Sequence, residues 1–221
     1  MPLLIFDLDG TLIDSRLDLA HSVNATRAYM GLPALDHETV FSYVGHGAAV
    51  LIQRALGDLA SEENLQKALP FFLGYYSEHK LDYTVLYPGV REALDRLRTA
   101  GFPMAVLTNK PVRISVAIVE ELGLGNHFFR VYGGNSFEHK KPHPIGIETL
   151  VAEANVPREE TFMVGDSSVD VQTARNAGVM SCGVTYGFQP ETLEQVPPDL
   201  LVAELNELAD RVLQRYIPNN R

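Results

Sequence analysis

Two carboxylates one residue apart close an apolar run near the start of the chain. Leu3, Leu4, Ile5 and Phe6 lead straight into Asp7, and Asp9 follows. Like charges at that spacing repel, and burial makes each costlier to ionise. The pair is tenable only if cations are brought to it. Suitable groups lie far along the chain. The segment "AVLTNK" ends on Thr108 and Asn109, the loop "HKKPHP" carries Lys140 and Lys141, and "FMVGD" ends on Asp166, with Ser167 and Asp170 just beyond. If folding gathers these groups, four carboxylates can be balanced by one divalent ion and one or two lysines. Oxygen ligands in that number favour magnesium, a hard ion that keeps several waters and pairs with substrate phosphate. Such a site suits a dianionic phosphoryl group. A carboxylate in line with phosphorus can attack it to give an acyl phosphate. A second carboxylate, its pKa raised by its neighbours, can protonate the leaving oxygen and later deprotonate water. Asp7 and Asp9 are the candidates for these two tasks.

The elements needed to position these groups can be read from periodicity. Residues 2 to 6 read as a strand buried on both faces. From Ser15 to about Lys80 the pattern is helical, in "RLDLAHSVNATRAYMGL", "HETVFSYVG", "AAVLIQRAL" and "EENLQKALPFFLGYYSEHK", until Pro88-Gly89 breaks it. Thereafter helices of 10 to 15 residues alternate with short apolar runs, the signature of crossover units on a parallel sheet. The expected fold is α/β: a Rossmann-like parallel sheet with helices on both faces, and an α-helical cap inserted after the first strand. The core takes residues 1–15 and 82–221 and the cap 16–81. In open parallel sheets ligands bind beyond the carboxyl ends of the strands, where the acids and cations above all fall. Asp14 or Ser15 is placed to cap the first helix, and the tail "IPNNR" is expected to fray.

Composition narrows the field. Of 221 residues, 46% are hydrophobic, enough for a sizeable core, and the formal net charge is −10. That balance argues against a duplex nucleic-acid binder, which needs a basic surface. The single cysteine, Cys182, excludes an internal disulfide and fits a reducing compartment; within its apolar strand it reads as core. No run approaches the ~18 apolar residues of a membrane span, and the LLIF run is too short for a signal peptide core. The expectation is a cytoplasmic protein, a monomer or homodimer, acting on a small-molecule phosphate ester.

Four segments, "DLDGT", "LTN", "KKPHP" and "GDSSVD", stand in the order found in the haloacid dehalogenase-like phosphohydrolases, which the chain resembles over nearly its whole length. The resemblance implies Asp7 as nucleophile and Asp9 as general acid and base. It implies Thr108 and Lys141 as phosphoryl ligands, helped by the Asn109 backbone. Magnesium would be held by Asp7, the Asp9 carbonyl and Asp166, with Asp170 nearer the outer shell, and the helical insert would be a mobile cap. "YVGHGAAVLIQRAL", "LYPGV", "GGNSFEHKKPHP" and "GDSSVDVQTARNAG" are similar to the phosphoglycolate phosphatase branch. Asn135 departs from the Asp many relatives carry and is expected to shape the loop before Lys141.

Several other residues have simpler roles open to them. His46 lies between two glycines of the insert, where backbone N–H groups could meet an anion; a solvated loop histidine explains it equally. Arg54 is the candidate for a substrate carboxylate, against a surface arginine by default. Phe71, Phe72, Tyr75 and Tyr76, at helical spacing, read as packing within the insert, and His143 as part of a helix entry. The expected activity is a magnesium-dependent phosphatase, with 2-phosphoglycolate as the leading substrate. A sugar-phosphate mutase, an inorganic pyrophosphatase and a phospho-accepting signalling module are the alternatives, and the 65-residue insert favours an enzyme over the last.

Overall fold

The computed structural model describes residues 1–217. The expected fraying of "IPNNR" therefore lies, beyond Ile217, outside the described residues. The chain opens with β1 (Leu3–Phe6) and a short β2 (Ile13–Asp14), then α1 (Arg16–Tyr29), α2 (His37–Phe41), α3 (Ala48–Leu56) and α4 (Glu62–His79). It continues through β3 (Val85–Leu86), α5 (Val90–Thr99), β4 (Met104–Leu107), α6 (Val112–Glu121), β5 (Arg130–Tyr132), α7 (Ile145–Ala154) and β6 (Thr161–Gly165). It ends with α8 (Ser168–Ala177), β7 (Met180–Val184), α9 (Thr192–Gln195), β8 (Leu200–Val202) and α10 (Leu205–Tyr216).

Six strands form one sheet in the order β5-β4-β1-β6-β7-β8, and every neighbouring pair is parallel. The central strand β1 is entirely buried because helices cover both sheet faces. Side chains alternate across it. Leu4 and Phe6 join Val106, Val164 and the α5 and α10 residues Leu94 and Leu208. Leu3 and Ile5 point the other way, with Leu107, Met163 and the α7 residues Ile147 and Leu150. Full burial of such a side chain contributes about 1.5–3 kcal/mol, so a polar residue within β1 would be costly.

Chain order matters more than strand content. From β1 the chain goes outward to β4 and β5, then returns to β6 on the other side. Connections thus diverge on either side of β1, where open α/β sheets leave a crevice beyond the strand ends. Phe6 is level with Val106 and Val164, so the next residue, Asp7, emerges between the ends of β4 and β6.

Helices α1 to α4 pack on one another, α1 against α4 and α3 against α4. A small antiparallel pair joins this block to the sheet, Ile13 opposite Leu86 and Asp14 opposite Val85. Of the two expected caps of α1, Asp14 and Ser15, the structure gives the backbone contact to Asp14. Ser15 occupies the N-terminal position of α1 but makes no capping bond, because its hydroxyl donates to Asp9 Oδ1 at 2.5 Å. Asp14 instead accepts from the Arg16 backbone N–H at 3.2 Å and pairs with its guanidinium. Asn135 ties its loop to the start of α6, its Oδ1 accepting from Val112 N at 2.9 Å.

Candidate active site

Asp7 and Asp9 leave β1 in a tight turn. Gly10 completes it at φ +78°, a left-handed conformation open to glycine, and a Cβ there would collide with the Asp166 carboxylate. The sequence therefore needs glycine for two reasons at once, backbone conformation and the approach of β6. Asp170 is fixed by the first turn of α8: its Oδ2 accepts from Ser167 N at 3.2 Å and from Ser167 Oγ at 2.8 Å, forming a capping box.

Lys141 links these acids. Its Nζ lies 3.0 Å from Asp7 Oδ1 and 2.7 Å from Asp170 Oδ1. Asn109 holds the lysine's backbone from both sides, accepting from Lys141 N at 3.0 Å and donating to Lys141 O at 3.1 Å. Asp166 accepts from the backbone N–H groups of Phe188 and Gln189 at 2.6 and 3.2 Å. Thr108, at the end of β4, is buried and accepts from Lys110 N at 3.2 Å.

Asp7, Asp166 and Asp170 each offer a carboxylate oxygen within 4.8 Å of the others. Three acids against one lysine leave two negative charges when all are ionised, a deficit that a divalent cation fits. Hard oxygen donors alone suit magnesium or a similar ion. The strain shows in the ionisation of the cluster. Asp166 is pushed up to about 8, by burial first and then by Asp170 and Asp7. Asp7 is raised to about 6 by burial, which Lys141 partly offsets and Asp170 reinforces. Burial works against the Lys141 ammonium, but Asp170 and Asp7 outweigh it and hold its pKa above the ordinary lysine range.

The Asp9 carboxylate stands apart from this cluster. It accepts from Lys110 Nζ at 2.8 and 2.9 Å and from Ser15, which leaves its backbone carbonyl as the expected metal contact. Neither Lys110 nor Ser15 is among the residues expected at the site from the sequence. Lys110 had a signal, a third lysine directly beyond the β4 end; Ser15 had none, since capping explained it. Burial opposes the Lys110 charge, yet Asp9 keeps its pKa raised.

One cavity contains these groups. It is lined by Asp7, Asp9, Thr108, Asn109, Lys110, Lys141 and Asp166 from the sheet side, and by Leu19, Val44, Leu51, Phe72 and Tyr76 from the helical block. Asn109 Nδ2 donates to Gly45 O and Gln189 Nε2 to Val44 O, both at 3.1 Å, so the block is stitched to the sheet at the cavity rim. Phe72 and Tyr76 thus do more than pack within the insert. Phe71 and Tyr75 lie outward in a stack with Tyr29 and His79. Neither Arg54 nor His46 lines the cavity. Arg54 is exposed and donates to Tyr43 O at 3.4 Å, and partial burial, with the Arg54 charge, holds the His46 imidazole below its usual pKa. Lys140 is exposed beside Gly47. Cys182 is buried, its thiol pushed up to about 12 by burial.

A family model described as haloacid dehalogenase-like hydrolase matches residues 4–184. A curated phosphoglycolate phosphatase of Vibrio parahaemolyticus is 41% identical over 218 residues, covering 95% of each chain. One of Chromobacterium violaceum is 40% identical over 209 residues, 93% of each. A crystal structure of a predicted phosphoglycolate phosphatase from Haemophilus somnus superposes with a TM-score of 0.90 at 32% identity, covering 96% of this chain and 98% of the other.

Proposed function

The chain belongs to the haloacid dehalogenase-like hydrolases, and from that premise we propose that it is a magnesium-dependent phosphatase that converts 2-phosphoglycolate to glycolate and inorganic phosphate. The observation that carries this reading is the Asp7–Lys141–Asp170 contact at the end of the central strand, beside Asp166. It supports a site that gathers a phosphoryl group and a nucleophile in one place. The likeness to phosphoglycolate phosphatases over nearly the full chain supports the substrate.

Asp7 is the nucleophile in this reading. One of its oxygens attacks phosphorus, the bond from phosphorus to the glycolate oxygen breaks, and that oxygen takes a proton from Asp9. Asp9 then removes a proton from water, whose oxygen attacks the acyl phosphate and restores the Asp7 carboxylate. The hydrogen bonds Asp9 accepts from Lys110 and Ser15 suit this second step. Lys141, Thr108 and the Asn109 backbone hold the phosphoryl oxygens. Asp7, the Asp9 carbonyl, Asp166 and Asp170 would hold magnesium, which when bound offsets charge on the phosphoryl group. Residues 16–81 serve as a cap domain on a core of residues 1–15 and 82–221, and the apolar wall from Leu19, Leu51 and Phe72 keeps bulk water out while leaving the one water that Asp9 activates. Among the described residues no helix is long and apolar enough to cross a membrane.

The test is phosphate release from 2-phosphoglycolate, pyrophosphate, hexose phosphates and nucleotides in the presence of magnesium. The reading requires the highest kcat/KM on 2-phosphoglycolate. A clear preference for another member of the panel replaces the substrate, and no release from any refutes the activity.

A further inference from the structure

We propose that Lys110 and Tyr76 form an anion subsite for the leaving group, the place where a substrate carboxylate is recognised. This deepens the reading above and rests on it. Among the described residues lining the cavity, Lys110 and Lys141 are the only cations, and the helical block contributes no charged side chain. Lys141 pairs with Asp7 and Asp170 and, in the reading above, gives its remaining N–H to the phosphoryl group. Lys110 is not fully used. An ammonium carries three N–H groups, and the two oxygens of Asp9 take at most two of them. Its Nζ lies over the Tyr76 ring, 4.5 Å from the centroid.

Tyr76 supplies the second, independent observation. Its side chain is buried and lines the same cavity, and its hydroxyl finds no partner in good hydrogen-bond geometry among the described residues, the Lys110 ammonium being its near polar neighbour. A buried hydroxyl without a partner is costly unless a ligand completes it. A carboxylate does so, accepting from the Tyr76 hydroxyl with one oxygen and from Lys110 with the other.

Lys141 pairs with Asp7 and Lys110 with Asp9, and both ammonium-bearing residues line the one cavity. A small phosphate ester with a carboxylate offers one anion to each. The apolar walls strengthen the charge contact by keeping water out. Discrimination between anionic and neutral leaving groups therefore resides on the sheet side, in a residue that directly follows Thr108-Asn109.

Calorimetric titration of the full chain with magnesium tests this without requiring turnover. The probes are 3-phosphonopropanoate, which cannot be hydrolysed and carries the carboxylate, and propylphosphonate, which lacks it. Wild-type protein should bind the carboxylate analogue about 10- to 100-fold tighter, as for a charge-assisted contact. Lys110→Met should reduce that ratio to about twofold or less. Tyr76→Phe, which removes only an unpartnered hydroxyl and should fold normally, should reduce it by roughly three- to tenfold. A wild-type ratio kept in Tyr76→Phe and in Lys110→Met overturns the assignment, and if the methionine variant does not fold, an unchanged ratio in Tyr76→Phe overturns it alone. A wild-type ratio near one overturns it too. Either result leaves standing a phosphatase that releases phosphate from 2-phosphoglycolate; failure of that release is a separate outcome.

Discussion

Lys141 donates to Asp170 at 2.7 Å with both side chains only 2% exposed. The pair comes from different places, a loop before α7 and the first turn of α8, and joins the two halves of the crevice. Removing one partner of a buried pair leaves an uncompensated charge and costs about 3–5 kcal/mol. Lys141→Ala should lose about that much stability to urea at neutral pH and should abolish turnover. Loss within about 0.5 kcal/mol, the range of an ordinary surface substitution, would show that the pair does not bear on folding.

The acids beside it predict a pH dependence with a definite sign. Asp7 is raised from 3.8 to about 6 and Asp166 to about 8. An acid with a raised pKa holds more protons folded than unfolded, so its contribution is fully present below about pH 4 and is lost as pH rises through 6 and 8. Magnesium replaces those protons. The rise in Tm on adding magnesium should be larger near pH 8.5 than near pH 5.5, with chelation abolishing both the shift and the activity. Equal shifts at the two pH values would remove the acid cluster as the metal site.

Gly10 and Gly31 separate backbone strain from crowding. Both have positive φ, +78° and +73°, but a Cβ at Gly31 meets nothing within 4 Å while one at Gly10 strikes Asp166. Gly31→Ala should cost about 1–2 kcal/mol, the left-handed penalty alone. Gly10→Ala should cost about 1–3 kcal/mol more and should also weaken magnesium binding, because Asp166 must move. Equal costs by denaturant unfolding would show that the turn tolerates a shift of Asp166.

Strand ends were the most legible part of the site. Asp7, Thr108 and Asp166 each follow a buried apolar run, so chain direction alone brings them to one edge of a parallel sheet. The membership of Asp170 and Lys141 in the site followed from the "GDSSVD" and "KKPHP" motifs, whereas the capping box that fixes Asp170 and its pairing with Lys141 come from the fold. Lys110 was not anticipated, because a charged residue just after a strand is usually solvated, and its burial comes from the helical block settling over it. Between Asp14 and Ser15 as the cap of α1 spacing does not decide; the fold brings Asp9 within reach of the Ser15 hydroxyl and leaves Asp14 to accept from Arg16 N. The β2–β3 pair, two residues on each side, is too short to leave a periodic signal. Tyr76 and Phe72 could not be told from Phe71 and Tyr75 by spacing, since which stripe of α4 faces the cavity depends on tertiary packing.

A covalent intermediate on Asp7 is the central claim, and acid quenching of a single turnover tests it most directly. Full-length protein with magnesium and 32P-labelled substrate should yield, after proteolysis, a hydroxylamine-sensitive label on the peptide that carries Asp7, absent in Asp7→Asn. Phosphate release at full rate with no label on that peptide at any quench time, or label and turnover that persist in Asp7→Asn, would contradict it.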